Sequence, residues 1–189
     1  MSLTDDKTEL RKVMRARRDD LAKAAPDAAL RAAEALPIKA LPAFATVSGY
    51  HALGSEMDPG PLIARFRALN ALIALPVATD RASPLIFRAH EPDDPLVADG
   101  FGIPSPGPHA PELHPDLVIA PILAFDRQGG RLGQGAGHYD RTLALLRARK
   151  PVFVLGLAYA GQEEARLPTE PHDIPLDAIL TESGYIPVR

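Results

Sequence analysis

An α/β fold is predicted for this 189-residue chain: one domain over residues 1–189, with a mostly parallel sheet, helices on both faces and an N-terminal helical arm. Three observations lead there. Strand-like and helix-like segments alternate along the chain, the arrangement that builds a parallel sheet covered on both faces. Residues 46–77 read as strand, helix, strand, a βαβ unit. The later strand segments, such as Pro151–Leu157, are apolar throughout, as strands buried on both faces must be.

The elements follow in order. Thr4–Lys23 places Leu10, Val13, Met14 and Leu21 on one stripe of a helix, with Thr4 as its N-cap and Asp5 and Asp6 at the positive end of its dipole. A second helix spans about Asp27–Leu36. Thr46–Leu53 is rich in β-branched and aromatic residues and reads as a strand ending at Gly54-Ser55. Pro59 suits the first turn of a helix running to about Leu69. Ala71–Val77 is the next buried strand and Pro84–His90 a short one. Glu91–Pro115 contains seven prolines and is expected to be irregular loop. Loops of that length in compact domains tend to be functional. Asp116–Leu123 reads as a central strand, His138–Arg149 as a helix, Pro151–Leu157 as a strand and Asp177–Thr181 as a last short strand.

Composition narrows the function. The formal net charge of −3 argues against nucleic-acid binding, which needs a basic face to collect phosphates. The absence of cysteine removes disulfides, thiolate metal sites and cysteine nucleophiles. The longest apolar run, Leu117–Phe125, is far short of the roughly 20 residues of a membrane span, and the charged N-terminal stretch lacks the apolar core of a secretory signal. A soluble cytoplasmic monomer is the expectation.

The chemistry is concentrated between Gly129 and Arg141, where five glycines stand between a strand and a helix. Glycine accepts positive φ and lets backbone N–H groups approach a ligand closely. The helix that follows adds unpaired N–H groups and a positive dipole end, so the segment is suited to an anion. Arg131 and Arg141 can add charge to phosphate oxygens, and Asp140, one turn into the helix, can hold a divalent metal bridging them. Two common nucleotide devices do not match. A Walker loop ends in Gly-Lys-Ser/Thr, and here Gly137 is followed by His138. A dinucleotide fingerprint needs G-x-G-x-x-G, and here the spacing is G-x-G-x-G.

The run Arg131-Leu132-Gly133-x-Gly135-x-Gly137-x-Tyr139-Asp140-Arg141 resembles the signature of the 5-formyltetrahydrofolate cyclo-ligases. The resemblance extends to Lys7-x-x-x-Arg11, Glu56, Phe101-Gly102-Ile103-Pro104 and Glu170-x-His172-Asp173, in the same order along nearly the whole chain. It implies an enzyme that uses ATP and Mg²⁺ to convert 5-formyltetrahydrofolate to 5,10-methenyltetrahydrofolate, releasing ADP and phosphate.

Lys7, Arg11, Arg131, Leu132, Gly133, Gln134, Gly135, Ala136, Gly137, His138 and Tyr139 would then hold ATP. His51, Glu56, Gln134, His138 and Tyr139 would line the folate site, and Asp140 and Asp173 would bind the metal. Gln134 and His138 replace the aromatics usual in the family, so ring stacking is not carried over to them. Arg17 and Arg18 read as a solvated helix face. Asp126 is either a loop anchor or an outer metal contact. A sugar-phosphate isomerase-like enzyme and a non-catalytic sensor of a phosphorylated metabolite remain alternatives on the residues alone.

Overall fold

The structure, a computed structural model, describes residues 3–188, with side chains from Asp6 onward. The expected side-chain contributions of Thr4 and Asp5 therefore lie outside the described residues. A seven-stranded sheet forms the centre. Its strands are β1 (Thr46–Ser48), β2 (Leu72–Val77), β3 (Ile86–Ala89), β6 (Leu117–Pro121), β9 (Phe153–Leu157), β10 (Ala178–Thr181) and β11 (Gly184–Pro187), in the order β11-β10-β9-β6-β1-β2-β3. The strands from β10 to β2 are parallel, while the edge strands β11 and β3 pair antiparallel with β10 and β2.

Period-two alternation sends successive side chains to opposite faces. Leu117 and Ile119 of β6, Leu155 of β9, and Ala178 and Leu180 of β10 join one core cluster. That cluster also holds helices α2 (Ala28–Ala35) and α3 (Gly60–Ala68). Val118, Ala120, Val154 and Ile179 join the second, against helix α4 (His138–Arg147). Helices thus cover both faces. Because α3 links β1 to β2 and α4 links β6 to β9, the chain leaves the adjacent strands β1 and β6 in opposite directions. A crevice opens at such a switch point, at the carboxyl ends of the strands.

Three expectations need correction. The first strand stops at Ser48, not Leu53. Beyond it the Tyr50 hydroxyl donates to the Met57 carbonyl and Glu56 accepts from the Leu53 N–H, which folds residues 50–57 into a turn. The proline-rich stretch is not wholly irregular: β4 (Leu96–Ala98) and β5 (Pro104–Pro106) form a small antiparallel ribbon. Asp99 ties its connecting loop down, accepting from the N–H groups of Phe101, Ile103 and Ala78. Finally, Asp177–Thr181 is followed by β11 across Gly184, at φ 140°.

Helix α1 (Leu3–Ala24) is a packed arm. Met14 is fully buried with Leu123, Ala124, Leu132 and Leu167, on the hairpin of β7 (Ala124–Phe125) and β8 (Arg131–Leu132). Val13, expected on the apolar stripe, is exposed. The inward line along α1 instead runs from buried Lys7 through half-buried Arg11, buried Met14 and buried Arg18 to half-buried Leu21, at alternating spacings of four and three that keep one helix face.

Candidate active site

The crevice at the carboxyl ends of the strands holds a cavity of about 420 Å³. Four separated stretches of chain supply most of its polar and charged wall residues. Helix α1 contributes Lys7 and Arg11, and the turn after β1 contributes His51 and Glu56. The glycine loop and the start of α4 contribute every residue from Arg131 to Asp140, and the segment before β10 contributes Glu170, His172 and Asp173. The structure therefore brings the expected site residues together around one space.

The glycine loop owes its course to backbone conformations that glycine favours. Gly135 has φ 104° and Gly137 φ 69°, both in the region L side chains avoid. Gly137 is the N-cap of α4, so the helix N-terminus opens at the cavity. Upstream, Asp126 is buried and accepts from the N–H groups of Gln128, Gly130 and Leu167. It is absent from the cavity wall. Of its two expected roles, the geometry gives it that of loop anchor.

The charged groups are arranged in pairs. Lys7 Nζ donates at 2.7 Å to both Glu170 and Asp173, although it is 163 and 166 residues away from them in sequence. Burial of Lys7 works to lower its pKa, but the hydrogen bonds to Asp173 and Glu170 outweigh it and the pKa is raised. For Asp173, burial works to raise the pKa, and the bonds from Lys7 and the Glu170 N–H bring it down. Arg11 Nε donates to the Gly133 carbonyl at 3.0 Å. Arg131 donates to the Ile174 carbonyl at 3.0 Å and to Asp140 Oδ1 at 2.5 Å; that same oxygen accepts from the Ile174 N–H. Asp140 thus brackets the loop to the segment before β10 and keeps its second oxygen out of these bonds. Burial lowers the Arg131 pKa, against the pull of Asp140 and Asp173.

The opposite wall is apolar and aromatic, built from Leu53, Pro76, Leu85, Phe101, Ile103 and Tyr139. Burial, chiefly, with Glu56 nearby, raises the Tyr139 pKa, keeping the phenol neutral at ordinary pH. Glu56 closes this end: Oε2 accepts from the Leu53 N–H at 3.0 Å, and Oε1 lies 3.4 Å from the Gln134 amide nitrogen and 3.6 Å from Arg18. Gln134 Oε1 in turn accepts two 3.2 Å bonds from Arg15. His138 donates from Nε2 to the Asp80 carbonyl and packs edge-on against Phe101, with ring centroids 5.4 Å apart.

Two readings of basic residues change. Arg141 does not face the cavity; its guanidinium donates to the carbonyls of Arg81 and Ala136, clamping the loop from behind. Arg17 is on the solvated face, paired with Glu164, but Arg18 is only 6% exposed. The alternating four-and-three spacing shared with Lys7, Arg11 and Met14 is the signal that could have placed it. Among the described residues, Glu170, His172 and Asp173 are the group of ligand-type side chains that converges, with candidate atoms within 4.8 Å of one another.

Fold and site define an α/β enzyme class in which a glycine loop at a helix N-terminus and an apolar pocket share one cavity. Residues 3–182 match the model of the 5-formyltetrahydrofolate cyclo-ligase family, and the chain belongs to that family. It is 36% identical over 155 residues to the 5-formyltetrahydrofolate cyclo-ligase of Mycolicibacterium smegmatis, covering 76% of this chain and 77% of that one. The Escherichia coli K12 enzyme of the same name is 36% identical over 143 residues, covering 73% and 78%. Among solved structures, the 5,10-methenyltetrahydrofolate synthetase of Aquifex aeolicus superimposes with a TM-score of 0.77 at 29% identity, over 97% of this chain and 93% of that one. A Mycoplasma pneumoniae synthetase shares the fold, with a TM-score of 0.72 at 21% identity over 94% and 99%. Among the described residues no helix is long and apolar enough to cross a membrane.

Proposed function

We propose that the chain closes 5-formyltetrahydrofolate to 5,10-methenyltetrahydrofolate at the expense of ATP. The carrying observation is that one cavity joins a glycine loop at a helix N-terminus to an apolar pocket ending in a carboxylate, in a chain of the cyclo-ligase family. The chemical obstacle is that a formamide oxygen leaves poorly. Transfer of the γ-phosphoryl group to that oxygen, releasing ADP, turns it into a phosphate leaving group. N10 then attacks the formyl carbon, its proton is lost, and the C–O bond breaks to expel phosphate and leave the methenyl bridge. N5 and N10 belong to one molecule, so the ring closure gains from proximity.

The protein's part is to position and to balance charge. N–H groups from Gly133 to His138 would cradle the phosphates, with Arg131, Lys7 and Arg11 around them. Lys7 and Arg11 project from one face of α1 towards that loop and the segment before β10. Glu56 would accept donors from the pterin, whose rings suit the apolar wall with His51 and Tyr139 beside it. The site also suits Mg²⁺: Asp140 and Asp173 are hard oxygen donors beside the glycine loop, with Glu170 next to Asp173. Bound there, the ion would neutralise charge on the phosphates.

The test is to mix the purified protein with Mg-ATP and 5-formyltetrahydrofolate and follow the absorbance of the methenyl product. Product formation that requires ATP and releases equimolar ADP is expected. Nucleotide binding without product would favour a sensor, and sugar-phosphate turnover without ATP an isomerase.

A further inference from the structure

We infer that Arg18 is a positioning residue for Glu56, holding the carboxylate in the orientation that receives the folate; this rests on the folate-binding reading of Glu56 above. Arg18 is 6% exposed and absent from the cavity wall, so it can act on a ligand only through another group. Its Nε donates to Ser55 Oγ at 3.1 Å. One terminal nitrogen lies 3.6 Å from Glu56 Oε1, and that nitrogen is buried with no hydrogen-bond partner. The side chains of Arg18 and Glu56 are both 7% exposed.

The physical case starts from desolvation. A carboxylate taken out of water needs a compensating charge, and a guanidinium taken out of water needs an acceptor for each N–H. Glu56 and Arg18 meet those needs only in part. The unpartnered nitrogen and the 3.6 Å separation show a pair held close but not closed into a fork. Glu56 is therefore fixed through Oε2 by the Leu53 N–H, while Oε1 lies between Arg18 at 3.6 Å and the Gln134 amide at 3.4 Å, both long contacts, and Glu56 lines the cavity. A fully closed bidentate pair would occupy the carboxylate and compete with a ligand. The open pair keeps the acid charged and aimed while leaving acceptor capacity for ligand donors.

Arg18 also makes the geometry depend on α1. The helix that presents Arg11 to the glycine loop and Lys7 to the segment before β10 carries, on the same face, the arginine that backs Glu56. A stapling role in which Arg18 merely docks α1 would be equally visible at both ligand sites. A positioning role would be felt at the folate alone, and only while Glu56 is present.

The experiment uses the full chain as Arg18→Met, Arg18→Lys, Glu56→Gln and the double variant Arg18→Met/Glu56→Gln. Each is titrated with 5-formyltetrahydrofolate and, separately, with a non-hydrolysable ATP analogue, and steady-state KM values are taken for both substrates. Loss of one charge-assisted contact corresponds to about a 10- to 100-fold rise in folate Kd and KM for Arg18→Met. The ATP analogue should change by no more than about twofold, and adding Arg18→Met to Glu56→Gln should cost about threefold or less, because coupled sites are not additive. Arg18→Lys keeps the charge without the planar fork and should recover part of the folate affinity. If Arg18→Met does not fold, the folate-selective loss in Arg18→Lys carries the same prediction. Equal losses for both ligands, or additive losses in the double variant, would overturn the positioning role. Failure of the unsubstituted protein to bind 5-formyltetrahydrofolate would instead overturn the folate reading and this inference with it.

Discussion

The Arg11 guanidinium donates to the carbonyl oxygen of Gly133 at 3.0 Å and lies 3.4 Å from where a side chain on Gly135 would begin. The first helix and the glycine loop, 122 residues apart in sequence, are therefore one structural unit at the rim of the cavity. Changes to either should be read at the nucleotide.

Gly135→Ala should weaken ATP-analogue binding while leaving the fold intact. The space is sufficient, since the added carbon would make ordinary contact with Arg11, but φ 104° is strained for any L residue. A cost of about 1–3 kcal/mol for holding that backbone, or relaxation out of it, corresponds to roughly a 5- to 150-fold loss. Calorimetric titration checks it; near-normal affinity would show that the loop geometry is not what binds the phosphates.

Asp140→Asn should lower the rate by roughly 10², the scale of losing one strong electrostatic contact. It leaves the buried Arg131 without its carboxylate partner, so the melting temperature should fall as well. Rate against Mg²⁺ concentration separates the two effects: partial recovery at high Mg²⁺ supports a metal ligand. A rate loss indifferent to Mg²⁺ would leave Asp140 only the bracket to Arg131 and Ile174.

Lys7→Met should make stability less dependent on pH at both extremes. The raised Lys7 pKa means its contribution is complete below the unfolded value, near 10.5, and is lost as pH rises through the folded value. The lowered Asp173 pKa means its contribution is complete above about 3.8 and is lost as pH falls through the folded value. The melting temperatures of Lys7→Met and the unsubstituted protein should differ most between those limits and converge outside them. A constant difference across the range would show that the pair contributes no pH-linked stability.

Asp126→Ala should destabilise the protein without altering Mg²⁺ dependence. The substitution removes the acceptor of three backbone N–H groups, of which the buried Leu167 N–H would cost about 1–3 kcal/mol if left unpaired. Thermal melting and Mg²⁺ titration of residual activity decide the matter. A shifted Mg²⁺ optimum with unchanged melting would make Asp126 a metal contact.

The sequence by itself determined the parallel sheet, the helix after the glycine loop and the loop's suitability for an anion. These follow from local rules: apolar runs of strand length, glycine where φ must be positive, and a helix that starts with unpaired N–H groups. Family resemblance added which residues to expect around the ligand. Tertiary structure alone decided how the charges are shared. Lys7 meets Glu170 and Asp173, Arg141 turns to the carbonyls of Arg81 and Ala136, and Arg18 is buried against Glu56 while its neighbour Arg17 stays in solvent. Long charged side chains choose partners by where distant segments come together, and their burial depends on what packs above them. The four-and-three spacing along α1 puts Lys7, Arg11 and Arg18 on one face, but it does not name their partners; those follow from the glycine loop, the turn after β1 and the segment before β10 that this face lies against.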